Sequence, residues 1–426
     1  MTFKDGGATL GTSTISGSTA TLTTSALSLG THSITAVYNG SANFSSSTSA
    51  SLTQTVSVPA SSVNLRAMQV AGTQMAAGLS SQAISGAIDN AIGEAFNDSG
   101  AALVPNGSGF TLNYAALERQ ASAETWQDRA RSFAPTADGK AADGKMSRVD
   151  DAFSALAYQK KGGAAQARYV PERDWLPWLD FRGLSVDRRA VGNDLKGDQL
   201  NILVGLTRKL TPQFLVGAFG GYERSNFSSD ALSGHLKGEG WTAGAYVGWK
   251  FDQAMRFDLS VSRSQINYNA SAGTATAVFP GHRWLVSGGF TGQGTWQGVI
   301  MEPSLRLYAM WEREQSYTDN LGITQAERNF ATGRLSLGNK LSYRVAVSSA
   351  TTITPYVGVY GDYYASRDDA SSSVAPAPLM QGLSARVIGG VGVNLGGALL
   401  SAGGEYGGIG SSTQIWTWRA RGTVPF

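Results

Sequence analysis

The feature that most limits how this chain can fold is an alternation of apolar and polar residues, recurring about twelve times between Asp174 and Phe426. Side chains alternate across a β-strand, so each repeat predicts a strand with one apolar and one polar face. In one repeat, Met255, Phe257, Leu259 and Val261 alternate with Arg256, Asp258, Ser260 and Ser262. Charged residues therefore occur in the middle of predicted strands, opposite the apolar face.

The order of the predicted strands and their connections favours a membrane barrel. Strands are predicted near 174–186, 198–208, 213–223, 240–250, 254–267, 282–292, 298–314, 329–343, 351–365, 382–395, 398–407 and 413–426. The first and later odd connections are predicted to be long, polar loops at 187–197, 224–239, 268–281, 315–328 and 366–381, with a shorter one at 408–412. The even connections are predicted to be tight turns at 209–212, 251–254, 293–297, 344–350 and 396–397. Long loops on one side and short turns on the other are typical of an outer-membrane barrel, whose even strand number puts both ends on the periplasmic side. A large soluble β-sandwich or a solenoid is the alternative.

The two faces of the predicted strands have different roles in such a barrel. The apolar face includes Trp241, Trp249 and Trp311, which we expect at the lipid interface. The last strand presents Trp416, Trp418, Val424 and Phe426 on the same face. The opposite face, which would line a wet lumen, has charges of both signs: Arg256, Asp258, Glu302, Arg306, Glu312, Arg386, Glu405, Arg419 and Arg421. In a channel of mixed sign we expect these groups to form a hydrogen-bonded lining around a plug helix rather than an active site.

Several phrases in this region are similar to a known family. They are Gly197-Asp-Gln-Leu-Asn, Arg208-Lys-Leu-Thr-Pro-Gln-Phe-Leu-Val-Gly217, Tyr268-Asn-Ala-Ser-Ala-Gly-Thr-Ala275, Glu302-Pro-Ser-Leu-Arg306, Tyr360-Gly-Asp-Tyr363 and the terminal aromatic residue. In combination they resemble the C-terminal translocator of type V autotransporters. The resemblance implies an outer-membrane barrel that threads its N-terminal passenger to the cell surface and anchors it there. It also implies outer-membrane lipid and the barrel-assembly machinery as partners, with Phe426 as part of the assembly signal.

The rest of the chain divides into two regions. Residues 1–58 show short alternating strands near 8–15, 20–24, 32–38 and 50–58, separated by Gly and Ser turns, and they resemble the end of a bacterial Ig-like repeat. Residues 59–173 form a linker with helical patterns at 62–97, 114–133 and 147–160. The sequence therefore predicts an all-β protein: a barrel of about twelve strands with a short helix in or near its lumen, plus a partial Ig-like β-sandwich. The N-terminus lacks the pattern of a secretory signal peptide, so we expect the chain to be a fragment.

Geometry requires one of the helical segments to pass through the lumen if the passenger is displayed outside. A hydrocarbon core about 30 Å thick needs about 14 to 20 helical residues at about 1.5 Å per residue. Two candidates fit. Family resemblance favours 147–160, just before the first strand, and low side-chain bulk favours 63–96. We select 147–160. A helix packed on the periplasmic mouth is the alternative for either segment.

The sequence offers little catalytic chemistry. The chain has no cysteine, and its three histidines, His32, His235 and His282, are in unrelated places. There is no metal-binding or phosphate-binding motif, and a net charge of +3 does not indicate nucleic acid as a partner. The pair Asn97-Asp98 is a candidate for self-cleavage inside the pore, but its neighbours do not match a known junction. We therefore expect neither enzyme activity nor a cofactor.

Two other functions are compatible with the sequence. The first is an outer-membrane barrel whose N-terminal region stays periplasmic, as a plug or a cell-wall-facing module. The second is a soluble adhesive β-protein, or a fragment of a surface adhesin. The side of the membrane on which residues 1–58 lie separates the first from an autotransporter, and solubility without detergent separates the second.

Overall fold

The computed structural model describes residues 1–97, 103–106, 109–112, 174–189, 194–348, 351–369, 381–395 and 398–424 of the chain. The N-terminal elements are β1 Thr2–Asp5, β2 Ala8–Thr12, β3 Gly30–Tyr38, β4 Ser47–Thr48, β5 Leu52–Val56 and one helix, α1 Ala60–Asn97. Two short strands, β6 Leu103–Asn106 and β7 Gly109–Leu112, pair with each other. The following strands are β8 Trp175–Arg188, β9 Leu195–Thr211, β10 Phe214–Ser229, β11 Gly234–Trp249, β12 Met255–Ala272, β13 Ala275–Gly292, β14 Gly294–Trp296, β15 Val299–Glu314, β16 Tyr317–Thr318, β17 Thr324–Gln325, β18 Arg328–Tyr343, β19 Val345–Ser348, β20 Thr351–Asp368, β21 Gly382–Leu395, β22 Ala398–Ile409 and β23 Thr413–Thr423.

Twelve of these strands close into an antiparallel barrel, which confirms the predicted fold class. Each long strand from β8 to β23 pairs with the next along the chain, and β23 returns to pair with β8, with Ile415 opposite Val186. The short strand β14 pairs with the start of β15, and the short strand β19 pairs with the start of β20. Strands β16 and β17 form a separate hairpin in the connection after β15. Closure gives every barrel strand two partners, so no edge of the sheet is left open.

The two ends of the barrel differ. At one end, here called the turn end, short connections join Thr211 to Phe214 and Trp249 to Met255. The other end, here called the hairpin end, includes the connections from Ser229 to Gly234 and from Ala272 to Ala275. The first strand, β8, begins at the turn end, where the amide of Lys209 donates a hydrogen bond to the carbonyl of Asp174 (2.8 Å).

The prediction of long loops at 224–239 and 268–281 was wrong. Strands β10 to β13 continue through both segments and end in tight turns, with Phe227 opposite Leu236 and Ala270 opposite Ala277. In these extensions most apolar residues point inward, where they pack against α1, and the outward residues are mostly polar, with Val278 as an exception. The alternation therefore continues, but here the apolar face is the inner one, whereas in the rest of the barrel it is the outer one. A prediction that looks for an apolar outer face ends these strands too early.

The helix α1 fills the hairpin half of the lumen. Its 38 residues span about 57 Å at about 1.5 Å per residue, so it is not the short helix that was expected. It contains the candidate segment 63–96, so the lumen helix is the candidate that we did not select. The physical reason is side-chain bulk, because 18 of the 38 residues of α1 are Ala, Gly or Ser and allow the wall to approach closely. Residues 114–133 and 147–160 lie outside the described residues.

The N-terminal strands form one five-stranded sheet. Its spatial order is β2-β1-β3-β4, with β5 also paired to β3, and no strand is present at 20–24, where one was predicted. His32 is buried in this sheet, with Nδ1 2.6 Å from the Asp5 carboxylate and Nε2 2.7 Å from the Ser28 carbonyl. The Ser28 carbonyl and the Asp5 carboxylate raise the pKa of His32, and the hydrogen bond from His32 lowers the pKa of Asp5. These contacts link β1, β3 and the segment before β3.

Glycine allows one large side chain to lie flat against the inner wall of the barrel. The Tyr356 ring of β20 crosses β21 and β22, and its hydroxyl lies where a Cβ atom on Gly390 or Gly403 would be. The neighbouring Gly404 points to the outer wall, where an added Cβ would come no closer than 3.6 Å to another atom, the Thr417 carbonyl oxygen. Adjacent glycines of one strand therefore have different structural requirements.

We expect Gly403→Val to destabilise the folded barrel by about 1–3 kcal/mol, because the new side chain displaces the Tyr356 ring. Gly404→Val, one residue away on the outer face, is the matched control and should be nearly neutral. The measurement is urea unfolding in detergent, followed by the mobility difference between boiled and unboiled samples. Adding Tyr356→Ala should recover part of the loss; equal effects of the two glycine substitutions would contradict this packing.

Candidate functional site

The hairpin half of the lumen is sealed by apolar packing between α1 and the wall. Leu65, Met68, Met75 and Leu79 of the helix are fully buried. Their cluster includes the wall residues Leu184, Val186, Leu195, Phe227, Leu236, Ile266, Tyr268 and Phe279. Apolar contact on this scale excludes water, so the helix closes this end of the barrel.

Between Gln69 and Gln82, neutral donors of α1 bind carboxylates of the wall. The pairs are Gln69 with Glu314 (2.7 Å), Gln74 with Asp368 (2.6 Å), Ser80 with Glu223, and Gln82 with Glu405. The fully buried Arg328 compensates two of these carboxylates. It pairs with Glu314 (3.0 Å) and Asp368 (2.5 Å), and its Nη1 donates to Thr73 of the helix (2.8 Å). Buried charges are thus paired and hydrogen-bonded, as their desolvation requires.

In the turn half of the lumen the signs are reversed. Asp89 of α1 pairs with Arg256 and Arg306, both at 2.7 Å. Glu94, one turn further along, pairs with Arg421 at 2.8 Å and accepts a hydrogen bond from the Thr423 hydroxyl at 2.6 Å. These two residues are the only acidic residues of α1.

The order of carboxylates and arginines along the wall is complementary to α1 only when the N-terminus of the helix lies at the hairpin end. A helix has a partial positive charge at its N-terminus and a partial negative charge at its C-terminus, within the first and last turns. The wall presents carboxylates along the N-terminal part of α1 and arginines beside its acidic C-terminal part. Reversing the helix, or moving it by one turn of about 5.4 Å, would separate these partners. The lumen therefore specifies both the direction and the axial position of α1.

The turn half of the lumen is not completely filled. A cavity of about 280 Å³ lies beside the end of α1, lined by Glu94, Lys340, Arg344, Tyr356 and Arg419 among others. A second, of about 100 Å³, lies deeper beside Gly86 and Asp89. Both border β18 to β23, whereas the apolar contacts of α1 are concentrated on β9 to β13. The helix is therefore off-centre and leaves a polar space along one wall.

The predicted lumen-lining residues all lie on the inner face, and most belong to ion pairs. Arg256 and Arg306 each pair with both Asp89 and Asp258; Glu302 pairs with Lys340; Glu312 pairs with Arg283; Arg386 bridges Asp362 and Glu405; Arg419 donates to the Tyr356 hydroxyl; and Arg421 bridges Glu94 and Asp180. The analysis of the sequence missed Glu223, Arg283, Glu314, Arg328 and Asp368, which hold the hairpin half together. Each of the five lies at or beyond the end of a predicted strand, or faces inward on a strand that was predicted mainly from its apolar outer face. It also missed Asp89 and Glu94. The sequence feature that could have revealed them is that they are two of only three charged residues in the 38-residue helix.

The predicted interface aromatics lie on the outer wall. Trp241, Trp249 and Trp311 are each about half exposed there. Trp416, Trp418 and Val424 share that outer face, and Phe426 lies outside the described residues. The side chain of Asn97 and the whole of Asp98 also lie outside them. In the described part of the chain, no helix is long and apolar enough to span a membrane, and no three His, Asp or Glu residues are grouped as metal ligands.

A closed twelve-stranded barrel with an apolar outer wall, exposed tryptophans and a charged lumen defines the class of outer-membrane barrels. The model of the autotransporter β-domain matches residues 178–408, more than half of the 426 residues, and the chain belongs to this family. A model of a bacterial Ig-like domain (group 3) matches residues 1–57. Both findings confirm the resemblances given by the sequence, and the C-terminal part is an outer-membrane translocator barrel.

Solved structures with a similar fold include three autotransporter domains. The β domain of the Bordetella autotransporter BrkA is 17% identical and covers 59% of this chain and 100% of its own, with a TM-score of 0.49. The translocator domain of NalP from Neisseria meningitidis is 15% identical, covers 65% and 98%, and has a TM-score of 0.49. The transport unit of AIDA-I from Escherichia coli is 13% identical, covers 64% and 98%, and has a TM-score of 0.46. No curated protein matches the chain.

The axial position of α1 can be measured with a disulfide, because the chain has no native cysteine. A Cβ built on Gly72 lies 3.1 Å from the Cβ of Leu236, within a few tenths of an ångström of disulfide geometry. We expect Gly72→Cys with Leu236→Cys to form a bond in the folded barrel. Adding Asp89→Asn and Glu94→Gln should lower the yield of this bond, because, within the part of the chain that the structure describes, Arg256 and Arg306 then keep only Asp258 as a charged partner, Arg421 keeps only Asp180, and the ion pairs that hold the C-terminal end of α1 to the wall are lost.

A control for loss of charge alone is Arg66→Gln, which removes one charge from α1, against two in the test variant, at the opposite end of the helix, where Arg66 donates to Gln69 of the same helix and lies beside Tyr317 but has no carboxylate partner among the described residues. Cross-linking is followed by the mobility of oxidised and reduced samples. An unchanged yield in the Asp89→Asn, Glu94→Gln variant would show that apolar packing alone sets the position of the helix.

Proposed function

We propose that this barrel threads its N-terminal segment outward through the lumen and then anchors it at the cell surface. The observation that supports this proposal is the direction of α1. Its N-terminal end lies at the hairpin end, where the amide of Thr274 donates to the Ser61 hydroxyl (3.3 Å) and Met68 packs beside Gly234. Its C-terminal end lies at the turn end, where Phe96 and Lys250 line the same pocket.

The two ends of α1 connect to different parts of the chain, so the direction of the helix determines on which side of the barrel the N-terminal sheet lies. The last strand of the sheet at residues 1–58 ends at Val56, four residues before α1 begins. Because α1 begins at the hairpin end, the chain that joins it to the sheet lies at that end of the barrel. Asn97 and Asp174 are both at the turn end, so the intervening chain starts and finishes on that side. In bacterial outer-membrane barrels the short turns face the periplasm and the longer connections face outward. The longest connections between barrel strands, from Glu314 to Arg328 and from Asp368 to Gly382, start and finish at the hairpin end, although two other connections there are tight. On this rule the Ig-like sheet is outside the cell, which disfavours a periplasmic N-terminal module.

The composition of α1 suits passage through a barrel of this size. Ala, Gly and Ser account for 18 of its 38 residues, and only Arg66, Asp89 and Glu94 are charged. Few charges have to be desolvated during transit, and Asp89 and Glu94 find arginine partners once the helix is in place. The action is therefore mechanical and electrostatic rather than enzymatic: the barrel supplies a polar path, and the docked helix is the anchor. Outer-membrane lipid and the barrel-assembly machinery are the expected partners, the latter through the strand that ends in Phe426.

The topology can be tested on intact cells expressing the chain behind a secretion signal. Protease added outside should remove an epitope inserted at Asn43 and leave a fragment containing the barrel, because residues 1–58 are exposed there. An epitope inserted at Gln253, in a turn-end connection, should be protected until the outer membrane is permeabilised. Protection of both epitopes, with the barrel inserted, would favour the periplasmic alternative; recovery without detergent in the soluble fraction would favour the soluble one.

A further inference from the structure

One stretch of the outer wall near the hairpin end combines two tryptophans with a cation. The Arg263 guanidinium of β12 lies over the Trp284 ring of β13, 5.4 Å from its centroid. Trp284 is paired in register with Trp311 of β15, and both rings are about half exposed. Exposed tryptophans on a membrane barrel occupy the boundary between the apolar core and the headgroups. Arg263 therefore lies at the level of the headgroups.

Two more groups that can bear positive charge lie next to these rings. In the adjoining row of the sheet, His282 of β13 is opposite Gln265 on one side and Arg313 of β15 on the other. Arg313 forms an exposed ion pair with Glu327 (2.7 Å). Among the residues that the structure describes, Arg263 has no carboxylate within 4.0 Å, and Nδ1 of His282 is buried without a hydrogen-bond partner. The patch formed by Arg263, His282, Trp284, Trp311 and Arg313, here called the Trp284 patch, thus has more cationic groups than anions.

The wall on the other side of the tryptophans is apolar. Val261, Val286 and Leu307 are exposed there on β12, β13 and β15. On β15 the outer surface changes from Ala309 to Trp311 to Arg313, on β13 from Val286 to Trp284 to His282, and on β12 Arg263 follows Val261 and lies level with the tryptophans. The surface therefore changes from aliphatic to a level of tryptophans and cations. An amphiphile with acyl chains and an anionic headgroup has the same order of chemistry.

An arginine in the headgroup layer is only partly hydrated, so an anion that accepts hydrogen bonds from its guanidinium is strongly favoured there. Guanidinium groups bind phosphate in a bidentate manner, and neighbouring cations add to the attraction. We propose that the Trp284 patch binds a phosphate-bearing lipid of the outer leaflet, with Arg263 and Arg313 on the phosphate, the tryptophans at the headgroup boundary and the acyl chains along Val261, Val286 and Leu307. This inference rests on the proposed function, because it requires the hairpin end to face outward.

The barrel contains its own control for this site. At the turn end, the Arg208 guanidinium lies over the Trp175 ring at 5.0 Å, which is the same pairing of arginine and tryptophan on the outer wall. The strand partners of Arg208 are Trp175 and Val216, so neither paired neighbour adds a cation or a second tryptophan. Loss of lipid binding on substitution of Arg263, but not of Arg208, would show that the cluster, and not a single arginine over a tryptophan, forms the site.

The test uses the full chain folded in a neutral detergent and native mass spectrometry. The probe is a bis-phosphorylated, hexa-acylated glucosamine disaccharide, compared with its dephosphorylated form and with inorganic phosphate as a competitor. We expect the wild-type chain to retain the phosphorylated lipid. Arg263→Gln and Arg313→Gln should each weaken binding about tenfold, the loss expected for one charge-assisted hydrogen bond. Arg208→Gln should leave binding unchanged, and the mobility shift of unboiled samples verifies that each variant is folded.

Three results would overturn the inference. They are equal binding by the wild type and the Arg263→Gln, Arg313→Gln double variant, equal binding of the phosphorylated and dephosphorylated lipids, and complete displacement of the lipid by millimolar inorganic phosphate. The last would indicate an anion site without lipid recognition. Because this assay does not depend on secretion, it can fail while the Asn43 epitope is displayed. If instead the epitope assay places the hairpin end in the periplasm, the proposed function fails, and lipid binding in detergent would not rescue the outer-leaflet assignment.

Discussion

Closure of the barrel by the pairing of β23 with β8 is the constraint on which the rest of the structure depends. In lipid, a strand without a neighbour would leave its amide and carbonyl groups without partners, at a cost of several kcal/mol each. Closing the ring removes that cost but encloses a lumen whose inward residues are polar. A polar lumen containing buried arginines and carboxylates needs partners for each of them. The strands supply some, as in the pairs of Arg283 with Glu223 and Glu312, and the helix supplies the others.

The helix also explains why the inner face of the barrel changes character along its axis. In the hairpin half, α1 is in contact with the wall on all sides, so Phe227, Leu236 and Phe279 are apolar and point inward. In the turn half, cavities adjoin the helix on the side of β18 to β23, where Arg421 and Thr423 of β23 still contact Glu94, and the wall presents Lys340, Arg344 and Arg419 to a polar space. One helix therefore acts as an apolar core at one end and as an ionic partner at the other. The inversion of the outer face follows from this, because strands that extend beyond the lipid need polar residues outside and apolar ones against α1.

These dependencies show how much of the structure the sequence could predict. The two-residue period is local, so the twelve strands, their order and the inward register of Arg306 or Arg421 follow directly from it. The extensions of β10 to β13 could not be predicted in this way, because their inward face is apolar only when α1 is present. The choice of the lumen helix failed for a different reason. The helical pattern at 62–97 was recognised, but family resemblance was given more weight than side-chain bulk, and it is the small side chains of this segment that let the wall surround it. Buried partners such as Glu314, Arg328 and Asp368 come from different strands and meet α1 only after closure, so no spacing along the chain reveals them.

The distribution of charge in α1 has a further consequence on the proposed route. If the chain moves from the turn end towards the hairpin end, the part of α1 that precedes Asp89 passes Arg256, Arg306 and Arg421 first. That part contains no carboxylate, so it cannot form a strong ion pair with these arginines. Its neutral Gln and Ser side chains exchange partners at low cost, because a net hydrogen bond contributes only about 0.5–1.5 kcal/mol. Asp89 and Glu94 arrive last, and their pairing with the arginines is the first contact that is expensive to break, because separation would leave charges buried alone. An acidic residue placed early in α1 would arrest the chain part-way, whereas one placed only near its end lets the chain slide until the helix is fully seated.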